Sequence, residues 1–412
     1  MRVLWLGHFT PYPARGGAPQ RSFNLIREGG ARAELHFVGL AQRAHQPGPA
    51  QVAEAERAIG TVCASAQVID VRLRTTRSGK AWALARCLAT GRSYNEMVLV
   101  GSRWAREIER AFARIRPDVV HVDSVMAVDL IPEGSRVPAV LTHHNIESDM
   151  MERRADLDRS PLRHLWRREA RLLAEYERRT ASRFAEHLVV SELDGERLHR
   201  LAPAATVTVI PNGVDASHFA ARTAEPADVS FVFAGRKNWY PNESAMARFL
   251  AELWPAIRAR LPGARLVIAG MNPPASLLSA ASRDSSVRVT GFVEDIRGAI
   301  TGALVYVCPI LDGGGTRLKL LDAMSLAMPI VATPVAAEGL DVADGREMII
   351  RDFGERFVDA AVVCAGDPAV RAAIGSGARR RIETTYDWPI IGRDLAAAWD
   401  RAAASGASSP QC

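Results

Sequence analysis

Strand-length apolar runs alternate with helix-period segments along almost the whole of this chain, and that alternation admits few architectures. The runs fall at 3–6, 34–40, 68–71, 119–122, 139–142 and 187–190 in the first half. In the second half they fall at 207–210, 230–234, 265–269, 287–290, 304–308, 330–332 and 348–350. Strands that repeatedly give way to helices build parallel sheets covered by helices, so the chain reads as α/β with two doubly wound sheets. A length of 412 residues exceeds one core and suits two domains, with three as the outer limit. The boundary is placed near Glu192, which gives domains 1–191 and 192–386 with 193–201 as a connecting helix. Residues 387–403 read as a C-terminal helix that could return to the first domain, and the Ser- and Gly-rich 404–412 as a disordered tail.

The bulk numbers narrow the class. Apolar residues at 48% and charged residues at 24% describe an ordinary soluble globular protein. A net charge of +6 asks for an anionic partner: a nucleotide, a phospholipid surface or a nucleic acid. Nucleic acid is the least supported of these, because no zinc-finger, basic-zipper or RNA-binding aromatic motif is present. Cys63, Cys87, Cys308, Cys364 and Cys412 show neither metal-ligand spacing nor a disulfide framework, which suits a reducing cytoplasm. Residues 1–7 read as a first strand rather than a signal peptide, and no apolar run reaches the 18 or so residues of a spanning helix. The expected location is cytoplasmic, either soluble or peripheral at the inner face of a membrane.

Residues 312–333 carry the chemistry. An apolar run at 304–309 ends in Asp312, Gly313, Gly314 and Gly315, followed by Thr316 and Arg317, and then by a helical pattern holding Lys319 and Asp322. Glycine lets a backbone approach an anion closely, and the free amides of a helix's first turn point at whatever sits there. Cations at that end oppose the helix dipole unless an anion offsets them, so the segment reads as a diphosphate site. Two plainer readings stand beside it. The glycines could form a simple loop, and Lys319 with Asp322 could be a surface pair worth about 0.2–0.5 kcal/mol.

Four segments in order resemble the family 4 glycosyltransferases, retaining enzymes of the GT-B architecture. They are 7–21 with Gly16-Gly17, His144-Asn145-Ile146-Glu147, 210–215 with Asn212-Gly213, and 312–333. The resemblance covers essentially the whole chain and is closest to the branch of exopolysaccharide sugar transferases. It implies two Rossmann-like domains facing a central cleft, a nucleoside diphosphate sugar held mostly by the second, and no essential metal or other cofactor. It implies catalytic roles for His144, Arg236 and Lys319, and donor contacts from Gly16, Gly17, Asp312, Gly314, Gly315, Thr316, Arg317 and Asp322. Three positions depart from the family pattern. Asp322 stands where the family has a ribose-binding Glu, Gly314 where it has an earlier Glu, and Pro241-Asn242 where it has a Lys after Arg236. Arg317 and Lys319 are then the cations left for the diphosphate.

Residues 152–183 carry ten Arg against six acidic residues, with leucines and aromatics among them. Such a segment is either a solvated face or a surface that meets anionic lipid. The reading is therefore transfer of a hexose-type sugar, with retention, from a nucleoside diphosphate to a glycan or lipid-linked acceptor. Two alternatives stay open: a nucleotide-sugar epimerase of the same fold, and a catalytically silent nucleotide-sugar-binding subunit.

Overall fold

The computed structural model describes residues 1–42, 45–70, 85–87, 89–94, 102–235, 240–313 and 315–407. They divide into two units, Met1–Pro211 together with Trp388–Cys412, and Asn212–Asp387.

The first unit is built on a seven-stranded sheet of β1 (Arg2–Gly7), β2 (Glu34–Leu40), β3 (Ser65–Ile69), β4 (Val119–Asp123), β5 (Ala139–Thr142), β6 (Glu186–Val189) and β7 (Val207–Val209). Its order is β3-β2-β1-β4-β5-β6-β7, with every pairing parallel. Successive residues of β1 feed opposite faces, as the two-residue strand period requires. Leu4 and Leu6 enter one core and Val3 and Trp5 the other. Both faces are apolar, which is why the strands read as continuous hydrophobic runs.

The second unit carries β8 (Ser230–Ala234), β9 (Arg265–Ala269), β10 (Val287–Gly291), β11 (Val305–Cys308), β12 (Ile330–Ala332) and β13 (Ile349–Ile350). These form a parallel sheet of order β10-β9-β8-β11-β12-β13 around a core of its own. In each sheet the strand order reverses once, between β1 and β4 and between β8 and β11. Such reversals open the crevice beyond the carboxyl ends of the strands where ligands bind.

Two expectations change. The run at 207–210 belongs to the first sheet: β7 pairs with β6 from His187↔Val207 to Val189↔Val209, so the helix Glu192–Leu201 is a crossover within that unit and the division falls after Pro211 instead of near Glu192. The second concerns the tail, where the helix Trp388–Ala407 continues through an alanine-rich stretch expected to be disordered. Ser405 there returns its hydroxyl to the Ala402 carbonyl. Residues 408–412 of that expectation lie outside the described residues, as do the end of the third strand run at Val71 and the sites expected at Arg236 and Gly314.

This last helix covers one face of the first sheet. Trp388, Ile391, Leu395, Ala398, Trp399 and Ala402 lie three or four apart, which puts them on one side, and all are in the same core as Val3 and Trp5. Its approach to the helix Gly17–Gly30 depends on glycines: a Cβ on Gly29 would meet the Trp399 ring at 2.5 Å, and one on Gly392 would meet the Glu28 Cβ at 2.6 Å. No helix of the described residues is long and apolar enough to cross a membrane.

Trp399 also makes the polar anchor of this face. Its Nε1–H donates to His121 Nδ1 at 3.0 Å, His121 Nε2 donates to the Thr142 hydroxyl at 2.9 Å, and Trp5 stacks on the imidazole at 3.6 Å. Burial holds His121 neutral by lowering its pKa to about 3. Trp399→Phe keeps an aromatic ring in place but leaves Nδ1 buried without a donor. The expected loss is about 1–3 kcal/mol of stability, read from urea unfolding; an unchanged midpoint would mean that the hydrogen bond contributes nothing.

Candidate functional site

Each unit gathers polar residues at its own strand-order reversal. In the first, the register aligns Gly7 with Asp123 and Asp123 with Thr142, so the residues just beyond them, His8 and His143-His144, emerge along the same edge. His144 Nε2 lies 2.8 Å from Asp123 Oδ1. Burial alone would raise the Asp123 carboxyl, but the charge of His144 and its hydrogen bond hold it below the usual carboxylate range. An ionised Asp123 can only accept, so Nε2 is the nitrogen that carries the proton in this contact and Nδ1 is the ring nitrogen turned to other partners. His8 points Nδ1 at the Asp123 carbonyl at 3.2 Å, and burial pulls its pKa down to about 4.

The neighbouring histidine does something else. His143 lies buried with Nε2 3.0 Å from His187 Nδ1, and His187 Nε2 donates to the Ala181 carbonyl. Burial keeps the His143 pKa well below its ordinary value, so this ring is a core link between β5 and β6.

Immediately after His144 begins the helix Glu147–Leu157, whose N-cap, Ile146, offers no side-chain acceptor. Glu177 supplies it from the basic helix Arg163–Ala181. One of its oxygens accepts from the Glu147 amide at 2.9 Å and the other from the Ser148 hydroxyl at 2.5 Å. Burial raises both carboxyls to about 7, Glu147 further by the charge of Glu177, and Glu177 less because Ser148 donates to it.

Gly16 has φ 93° and ψ 173° at the start of the helix Gly17–Gly30, and its carbonyl accepts from the Gln20 amide. One turn on, Arg21 is buried and gives its guanidinium to the Ile210 and Pro211 carbonyls, with its pKa lowered to about 10 by burial. It fixes the last residues of this unit.

In the second unit Gly235 follows β8 with φ 143°, and a Cβ there would stand 2.8 Å from Lys319 Nζ. The ammonium donates to Asn242 Oδ1 and lies 4.5 Å over the Phe233 ring. The hydrogen bond of Lys319 therefore goes to another helix rather than to Asp322, three residues along its own. Both groups are nonetheless strongly perturbed by burial, Lys319 down to about 8 and Asp322 up to about 7, each moderated by the other's charge. Together with Gly235, Gly270, Met271, Phe292, Val293 and Ile296 they line a cleft of about 230 Å³. Phe292 stands at its rim, 65% exposed.

The two cations of the glycine segment make different contacts within the unit. Arg317, at the cap of the helix Leu318–Ser325, turns its guanidinium back onto the carbonyls of Asp312 at 3.3 Å, Gly313 at 2.6 Å and Gly315 at 3.1 Å. It thus staples a loop in which Gly313 and Gly315 take φ of 102° and 69°. Thr316 Oγ1 accepts from Asn212 Nδ2, so Asn212 joins the site through that contact. Among the described residues no cluster of three or more His, Cys, Asp or Glu is placed to hold a metal ion.

Asp123, Asn242 and Glu177 were not singled out from sequence. Asp123 had a signal, since it directly follows the apolar run 119–122 at the ligand edge of a sheet. Asn242 was noted only as a departure from a pattern, and Glu177 only as one charge in a basic helix.

Residues 65–218 match the family described as Glycosyltransferase Family 4, and residues 228–367 the family described as Glycosyl transferases group 1. Among characterised proteins, the chain is 28% identical over 206 residues to a phosphatidyl-myo-inositol mannosyltransferase of Mycolicibacterium smegmatis, covering 48% of this chain and 52% of that one. It is 25% identical over 212 residues to a GDP-mannose-dependent monoacylated alpha-(1-6)-phosphatidylinositol monomannoside mannosyltransferase of Corynebacterium glutamicum, covering 45% and 54%. The chain thus spans about half the length of these two relatives. Among solved structures, sucrose-phosphate synthase from Thermosynechococcus elongatus superposes with a TM-score of 0.69 at 13% identity over 98% of this chain and 100% of that one. Anabaena HepE in complex with UDP superposes with 0.66 at 15% over 97% and 100%. At such identities these two likenesses speak for the fold alone.

The Glu147–Glu177 pair yields a pH test. A carboxyl raised on folding binds its proton more tightly in the native state, so its contribution to stability falls as pH rises from about 4.5 to about 7. Glu177→Gln keeps an acceptor for the Glu147 amide and removes one titration. The variant should lose less stability than the wild type between about pH 5 and 8, measured by chemical denaturation; equal slopes would show that the pair ionises as exposed carboxylates do.

Proposed function

Because the chain belongs to the family 4 glycosyltransferases and carries the GT-B fold of two Rossmann-like units, we propose that it moves a hexose from a nucleoside diphosphate sugar to a glycan or lipid-linked acceptor with retention of configuration. The observation that carries this reading is Lys319. A buried ammonium at the β8/β11 reversal, beside a glycine that leaves it room and with its pKa lowered to about 8 by burial, suits an anionic ligand.

The cleft offers each part of such a donor a place. Its apolar side, Met271, Phe292, Val293 and Ile296, suits the base, Asp322 the ribose hydroxyls, and Lys319 with the glycine edge the diphosphate. HepE, of the same fold, binds UDP, and the mannosyltransferase from Corynebacterium is named for GDP-mannose. Both names support a nucleotide-sugar donor, and the phosphatidylinositol in the names of the two mannosyltransferases supports a lipid-linked acceptor. Leu157 and Leu162, exposed at 53% and 54% just ahead of the basic helix Arg163–Ala181, suit an encounter with a lipid surface.

In the proposed reaction the bond from the anomeric carbon to the diphosphate oxygen breaks while the acceptor oxygen bonds to the same face of the sugar. The acceptor proton passes to the departing phosphate oxygen. Charge grows on the diphosphate as the sugar bond breaks, and a positioned cation that meets it lowers the barrier. In the first unit, His144 with its Asp123 support is the candidate acceptor of a hydrogen bond from a sugar hydroxyl that does not react.

Lys319→Ala should reduce the turnover number on the order of a hundredfold or more, from the roughly 2.7–4 kcal/mol that a preorganised donor to developing charge supplies. Donor affinity should change less. Nucleoside diphosphate affinity in the wild type should also fall as pH rises past about 8, because the ammonium is lost there. Unchanged turnover with a small stability loss would return Lys319 to a structural role. Phe292→Ala tests the base independently: with the ring mostly exposed, stability should hold while affinity weakens by roughly tenfold, as loss of about 1–3 kcal/mol of stacking implies. Calorimetry against uridine and guanosine diphosphates reads both the loss and the base preference.

A further inference from the structure

A second cationic site lies in the first unit, where the helices Glu147–Leu157, Arg163–Ala181 and Glu192–Leu201 enclose a cleft of about 490 Å³. Its walls bring Arg167, Arg171, Arg197 and Arg200 together with Asp149 and Glu152, and Arg167 is paired with Asp156 at 2.9 Å. One of those carboxylates is already committed, because Asp149 pairs with Arg153 at 2.9 Å and with Arg197 at 3.4 Å. Arg197 is itself buried and held from its other end by Asp194 at 2.9 Å, so its guanidinium is fixed before any ligand arrives. Arg171 and Arg200 stand exposed at the rim, and among the described residues neither forms an ion pair.

With Arg167 and Arg197 paired, Arg171 and Arg200 leave the cleft an excess of positive charge over Glu152, and a cleft that focuses such a field favours an anion. Planar forks of donors match phosphoryl oxygens two at a time. We infer that this cleft is a binding site for a phosphoryl group, borne by a lipid head group or free in solution. Ser148, in the cleft wall, also donates to Glu177 in the clamp behind His144. A phosphoryl group seated here therefore touches the turn that follows a candidate catalytic histidine. The exposed Leu157, at the end of the helix Glu147–Leu157, and Leu162, at the cap of the helix Arg163–Ala181, favour the lipid-borne source. This inference deepens the lipid-linked acceptor reading, but binding tests it without turnover.

The experiment uses the full chain with inorganic pyrophosphate as the soluble probe, and phosphatidylcholine vesicles doped with phosphatidic acid or, at matched charge, with phosphatidylserine. Arg171→Gln with Arg200→Gln should weaken pyrophosphate binding at least about tenfold, given the strength of hydrogen bonds to charged groups. Arg159→Gln with Arg163→Gln removes the same charge near the exposed leucines but outside the cleft, and should change it by less than about twofold. Both pairs are also made in a Lys319→Ala background, so that pyrophosphate bound in the second unit is counted separately and failure of the donor reading stays distinct. Preference for phosphatidic acid over phosphatidylserine, lost in the cleft pair alone, assigns the ligand to a lipid. Pyrophosphate binding without that preference assigns it to a free phosphate compound. Equal losses in the two pairs, or no binding of either probe, would overturn the site.

Discussion

A parallel strand cannot be joined to its neighbour by a tight turn; the chain must cross over, and each crossover leaves the sheet at its carboxyl edge. Where consecutive crossovers run in opposite directions the loops part and the edge stays open. That constraint places the candidate residues at the two strand-order reversals. Asp123 lies at the level of Gly7 and Thr142 because of strand register, and His144 follows two residues beyond Thr142. Gly235 and the loop from Asp312 to Arg317 follow the two strands that flank the other reversal. The helices that bury the sheet faces set the position of the edge, and in the first unit part of that cover comes from the far end of the sequence through Trp399.

The strands were legible because burial on both faces leaves a simple trace, a short apolar run bounded by polar residues. What that trace omits is partnership. The run at 207–210 was recognisable as a strand, but a three-residue element with half-buried side chains carries no mark of the sheet it joins. Pairing with β6 is a tertiary fact. The C-terminal helix extended past its expected end for a related reason: its last turns are alanine-rich, and composition suggestive of a tail outweighed a helix propensity that needed only a docked beginning.

The candidate site was legible at the level of segments and less so at the level of contacts. Gly16-Gly17, His144 and the 312–322 stretch lie at the carboxyl edges of the strands, in their respective units. The residues that orient them come from far along the chain: Asp123 is 21 residues from His144, Asn242 is 77 from Lys319, and Glu177 is 29 from Ser148. No periodicity encodes such pairs. Buried ionisable groups nevertheless explain why these partners exist. A desolvated ammonium or carboxylate destabilises the fold unless something accepts or donates to it, so each candidate functional charge required a neighbour that local sequence could not name.

The two cations of the glycine segment show how chemistry divides between similar charges. A guanidinium presents donors in a planar fork, and three carbonyls of a tight loop are close to ideal acceptors for it; Arg317 uses that geometry to hold the loop. An ammonium is compact and its pKa shifts readily with burial. Lys319 donates a hydrogen bond to Asn242 Oδ1, and Asn242 stands at the position where the family pattern carries a lysine of its own. Exchanging that lysine for an amide removes one cation and supplies an acceptor that aims another. At 241–242, then, the helix Tyr240–Arg248 offers an acceptor instead of a cation, and the charge beside the crevice between β8 and β11 is the ammonium of Lys319 on the helix Leu318–Ser325, its pKa lowered to about 8 by burial.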